Sequence, residues 1–81
     1  MNIYRYQFTA ACPNNSRQIV YQLCIQSKDM IHVEHIVSFA AQYPKVFHED
    51  LADALHEKFG GRQTMVAHHH GVDIETVRGF E

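Results

Sequence analysis

The chain has 81 residues, seven Lys/Arg against nine Asp/Glu, a formal net charge of −2, and is 46% hydrophobic and 20% charged. That size and composition suit one folded domain spanning residues 1–81 and exclude a disordered or low-complexity segment. No apolar run approaches the ~18 residues of a membrane span, and the cations are spread singly where a direct nucleic-acid binder would cluster them.

The stretch Met1 to Ala10 lacks the charged-then-apolar order of a secretory signal, so an intracellular, cytoplasmic protein is expected. From Ile3 to Ala11 the residues alternate. Tyr4, Tyr6, Phe8 and Ala10 fall on one face, with Arg5, Gln7 and Thr9 on the other, as in a half-buried strand. Cys12 to Arg17 carries turn chemistry, because Pro13 fixes its own φ and Asn14 and Asn15 tolerate positive φ. Gln18 to Gln26 alternates again, with Ile19, Tyr21, Leu23 and Ile25 together, which predicts a β-hairpin centred near Asn14–Asn15. That register puts Cys24 opposite a position close to Tyr6 and Cys12 roughly 20 Å along the ladder. A disulfide needs Cα atoms within about 7 Å, so two free thiols and a reducing compartment are expected.

Beyond Ser27 the period changes. Val33, Ile36, Val37, Ala40 and Ala41 form the stripe of an amphipathic helix, which either starts at an Asp29 cap or follows an extended Met30 to Val33. After Pro44, a second helix aligns Phe47, Leu51, Leu55 and Phe59 and ends at Gly60-Gly61, with Lys58 favourable to the dipole of the last turn. Gln63 to His69 and Val72 to Val77 read as two further strands joined by a tight turn at Gly71. The expected architecture is α+β, a four-stranded antiparallel sheet with two helices on one face, in the order ββααββ. This element order resembles the protomer of the tunnelling-fold enzymes, which handle pterins and deazapurines. The resemblance implies that architecture, but their metal-binding histidine motifs are not found at matching positions.

Seven histidines are the least ordinary feature of the composition. In a strand through His68-His69-His70, the first and third would share a face and could hold zinc if Asp73, Glu75 or a helix histidine supplied a third ligand. His32 and His35 form a second candidate pair, adjacent on a helix. The same histidines also suit an ordinary exposed turn. Cys12 could act as a nucleophile beside a spatially near histidine, or simply be a turn residue. Motifs for a nucleophile elbow or a phosphate loop are missing.

On the second helix Glu49, Asp50, Asp53 and Glu57 lie away from the apolar stripe. They form either a solvated face or an acidic surface that docks a basic groove on a protein partner. Size, the acidic helix and the lack of catalytic motifs favour a non-enzymatic interaction module, either monomeric or homodimeric, such as an inhibitor or regulator of the phage anti-CRISPR kind. Such a module would bind a protein, with no direct contact to nucleic acid or membrane and no cofactor. The alternative is a metal- or small-ligand-binding domain centred on His68 and His70, enzymatic once oligomeric.

Overall fold

The computed structural model describes residues 1–80. Four strands, β1 (Asn2–Ala11), β2 (Gln18–Ser27), β3 (Arg62–His69) and β4 (Val72–Arg78), form one antiparallel sheet in the order β1-β2-β3-β4. Helices α1 (Val33–Ala40) and α2 (His48–Phe59) lie between β2 and β3, so the expected ββααββ arrangement is the one observed.

Alternation decides which face is covered. Ile19, Tyr21, Leu23 and Ile25 of β2 are buried and oppose Ala10, Phe8, Tyr6 and Tyr4 of β1. Across β3 the same face continues through Gln63, Met65 and Ala67, and across β4 through Thr76. Ile36 of α1 and Leu51, Ala52 and Leu55 of α2 close this face into one core, while the opposite face of the sheet carries no helix. No helix among the described residues is long and apolar enough to cross a membrane.

The structure settles three details of the sequence reading. First, Cys24 opposes Arg5, next to Tyr6 as expected. The physical reason is parity: Tyr6 points to the core and must face inward-pointing Leu23, so a one-residue slip would turn the strand inside out. Both cysteines are free, as expected. Second, the α1 stripe is only half buried. Ile36 and Ala40 are covered, whereas Val33 and Val37 are exposed, because α1 runs along the edge strand β1 beside Ile3, Tyr4 and Tyr6 and nothing lies beyond that edge. Third, Asp29 does not cap α1. Its backbone N–H donates to Ser27 Oγ at 3.1 Å, and the extended residue before the helix is His32.

Helix α2 ends as its glycines dictate. The Gly60 N–H donates to the His56 carbonyl at 2.8 Å and Gly60 turns out of the helix with φ +64°. At the end of β4, Gly79 has φ +80° and lies so close to Gly61 that a Cβ there would collide with the Gly61 carbonyl oxygen.

Candidate functional site

The residues with chemistry gather at one end of the covered face, where the β1–β2 turn, the start of α2 and the β3–β4 turn meet. Backbone pairing brings the first two together. The Ala11 N–H donates to the Pro44 carbonyl at 2.8 Å, and the Val46 N–H donates back to the Ala11 carbonyl at 3.1 Å. This short parallel bridge between Ala11 and Lys45 holds Cys12 next to the N-terminus of α2, the end of a helix dipole that favours negative charge. The turn after Cys12 is self-supporting. Ser16, with φ +60°, donates its N–H to the Cys12 carbonyl at 2.8 Å, and Asn15 Oδ1 accepts the Arg17 N–H at 3.0 Å.

The β3–β4 turn supplies the third wall. His69 pairs with Val72, leaving a two-residue turn in which His70 (φ +50°) and Gly71 (φ +83°) are both left-handed, the backbone that suits a tight hairpin. The two turns are tied together by Asn15 Nδ2 and His70 Nε2 at 2.9 Å. Between these walls lies a cleft of about 560 Å³, lined by Cys12 and Asn14, by Val46, Phe47, His48, Glu49 and Asp50, by His69 and His70, and by Ile74.

His48 is the inner anchor of the cleft. It is buried, and its Nε2 lies 3.0 Å from the Met65 carbonyl oxygen and 3.2 Å from Thr76 Oγ1, while its Nδ1 lies 3.1 Å from Nε2 of half-buried His69. A carbonyl can only accept, so Nε2 of His48 carries the proton. Burial is the main cause holding the His48 pKa below its ordinary 6.5, with charged His69 adding to the effect; a hydrogen bond to Met65 acts the other way. His69 is lowered as well, first by burial and then by its neighbours His70 and His68. Tyr21 packs its ring against both imidazoles, with centroids 5.2 Å from His48 and 6.0 Å from His69. Among the described residues its hydroxyl is the buried side-chain polar atom with no hydrogen-bond partner. Burial, and then the nearby Cys12, push the phenol pKa up, so the phenol keeps its proton.

The sequence-predicted residues divide. Cys12 stands on the cleft. His68 does not: it points to the uncovered side and pairs with Asp73 at 2.8 Å. The strand alternation that would align His68 with His70 ends at His69, because His70 has left strand geometry for the turn. No grouping of three or more His, Cys, Asp or Glu that could hold a metal ion is present among the described residues. His32, just before α1, and His35, on its first turn, are both exposed, with ring centroids 5.4 Å apart. Of the acidic row, Glu49 and Asp50 line the cleft, Asp53 accepts Arg78 Nε at 2.8 Å, and Glu57 borders a separate groove beside Tyr43 and Lys58. Sequence reasoning passed over the pair His48 and His69. A signal for His48 existed, since it lies three residues before Leu51 and four before Ala52 on the buried stripe of α2.

No family model matches this sequence, and no curated protein matches it. Among solved structures, the crystal structure of the archaeosine synthase QueF-Like in the apo form superposes with a TM-score of 0.74 at 15% sequence identity. The match covers 99% of this chain and 94% of that one. The two chains share a fold. The expectation of a non-enzymatic interaction module, a phage inhibitor or anti-CRISPR-like regulator docking a basic surface, is overturned by that likeness. The misreading has a physical source. Contiguous catalytic motifs are missing from the sequence, whereas the cleft draws its residues from separate segments that only folding assembles.

Proposed function

We propose that this chain is the subunit of an oligomeric enzyme that takes a planar, purine-like heterocycle into the cleft and attacks it through the Cys12 thiol. The observation carrying this reading is that one free thiol shares a cleft with two hydrogen-bonded imidazoles and two carboxylates. The fold is shared with a protein named as an archaeosine synthase, and the tunnelling-fold enzymes that the element order resembles handle pterins and deazapurines.

Each part of the cleft has a use in such a reaction. Heterocycles of this class contain C–N multiple bonds, whose carbon is electrophilic. The Cys12 sulfur forms a bond to that carbon, the π electrons move to nitrogen, and the sulfhydryl proton ends on that nitrogen. Glu49 and Asp50 supply acceptors for ring or amino N–H groups, and charge-assisted bonds of that kind are the strong ones. Phe47, which is 47% exposed at the cleft, offers an apolar surface to a flat ring. Oligomerisation is supported by the unpaired outer edges of β1 and β4 and by the exposed apolar residues Ile3, Val33 and Val37. Two free cysteines suit a reducing, cytoplasmic setting.

Protection of Cys12 tests the proposal. Iodoacetamide is expected to alkylate both Cys12 and Cys24, and 7-deazaguanine or a pterin is expected to slow the reaction at Cys12 alone, as read by peptide mass spectrometry. Glu49→Gln should raise the heterocycle concentration needed for half-protection about tenfold, the loss of one charge-assisted hydrogen bond. Equal alkylation of Cys12 with and without saturating heterocycle would sink the reading.

A further inference from the structure

The two imidazoles of the cleft form a chain with a fixed direction. The Met65 carbonyl, 3.0 Å from His48 Nε2, requires the His48 proton on that nitrogen. Thr76 Oγ1 reinforces the arrangement, because it donates to the same carbonyl at 3.4 Å and so leaves its lone pairs for the His48 N–H 3.2 Å away. His48 Nδ1 is then a lone pair, and the hydrogen bond of 3.1 Å to His69 must be donated by His69 Nε2–H. A neutral imidazole carries one proton. The remaining nitrogen of His69, Nδ1, is therefore an acceptor, it has no protein partner among the described residues, and His69 lines the cleft with Cys12.

We propose that His69 is the general base of the site, with Nδ1 taking the Cys12 sulfhydryl proton and His48 acting as the positioning residue that fixes its tautomer. This deepens the proposed function and rests on its assignment of Cys12. The S–H electron pair stays on sulfur, which becomes the nucleophile. His69 becomes an imidazolium that still donates Nε2–H to His48 Nδ1. When sulfur bonds to the ligand carbon, the ligand nitrogen takes the proton back from Nδ1 and His69 returns to its resting form, so no further reactant is needed.

The surroundings of His69 act in both directions. From α2, Glu49 and Asp50 line the same cleft, and the Glu49 carboxylate favours a charge on His48, the partner of His69, while a charge on His69 opposes it. Within its own strand and turn, His68 and His70 oppose a charge on His69, although His68 is tied to Asp73 of β4 and His70 to Asn15 of the β1–β2 turn. From β2 the Tyr21 ring packs against it and contributes a protonated phenol.

The test uses the full chain carrying Cys24→Ser, which leaves Cys12 as the single thiol, and needs no heterocycle. The rate of alkylation by iodoacetamide is followed from pH 5 to 10. With His69 intact the rate should rise in two steps, the lower one belonging to the imidazole. In His69→Gln, which keeps a donor for His48 but cannot take a proton, the lower step should vanish and the rate at neutral pH should fall about tenfold or more. Imidazole 15N correlation spectra of the unsubstituted protein provide a second measurement and should show Nε2–H tautomers for both His48 and His69. An Nδ1–H tautomer at His69, or identical pH profiles in the two proteins, would overturn the assignment. A two-step profile without heterocycle protection would instead retain the base and refute the ligand class.

Discussion

Tyr21 and His48 lie at the back of the cleft, both buried, and they make opposite demands on the fold. The Tyr21 hydroxyl has no partner among the described residues, so it is desolvated without compensation. Tyr21→Phe should leave stability unchanged or raise it by about 1 kcal/mol, measured by urea unfolding; a loss of that size would reveal a hidden partner for the hydroxyl. His48 does have partners, and burial is what makes its charged form costly, since the Nε2–H bonds to Met65 and Thr76 are open to both of its forms. Its folded pKa is depressed below 6.5 by burial, and that of His69 is depressed too. The unfolded chain therefore binds more protons below about pH 6.5. Stability should be flat from pH 8 to 7, decline as the pH falls through 6.5, and level off for these groups below their folded pKa values. His48→Gln should flatten that part of the curve of thermal midpoint against pH. These residues were poorly legible in the sequence. A run of three histidines draws attention because it is contiguous, whereas the pair that interacts is 21 residues apart and meets only through the docking of α2 on β3. Cys12 was legible as a nucleophile or a turn residue, and the fold places it at the start of the turn and on the cleft.

The strands and helices could be read well because their side chains repeat at different intervals. The two-residue repeat of Tyr21, Leu23 and Ile25 identifies a covered strand, and Leu51 with Leu55 identifies the inner side of a helix. What periodicity cannot supply is the position of a helix over the sheet, which is why Val33 and Val37 were expected inside and lie outside. Glycine positions carry a further constraint. Gly71 and Gly79 share a left-handed backbone, but a Cβ at Gly71 meets nothing within 4 Å while one at Gly79 strikes the Gly61 backbone and comes within 2.9 Å of His56 Nε2. Gly71→Ala should cost about 1 kcal/mol from backbone conformation alone. Gly79→Ala should cost about 2 kcal/mol more, since β4 would have to part from the loop that ends α2. Urea midpoints of the two variants compare them directly, and equal losses would mean that the contact relaxes without cost.

At the scale of the molecule, one face of the sheet builds the core and the cleft, and the other carries Arg5, Gln7, Gln22, Cys24, Thr64 and Val66 with no helix over them. The layering was legible because it follows from alternation summed over four strands. The location of the site was not, because its residues come from β1's end, α2's start and the β3–β4 turn, and none of these segments carries a recognisable motif alone. The pairing of Ala11 with residues 44 to 46 has a mechanical consequence. Sulfur and carboxylates are bolted to one frame, and the paired imidazoles span that frame and the far strand. A residue inserted between Tyr43 and Val46 would slide the acids relative to the thiol while leaving every side chain present, and the protein would keep its shape but lose its aim.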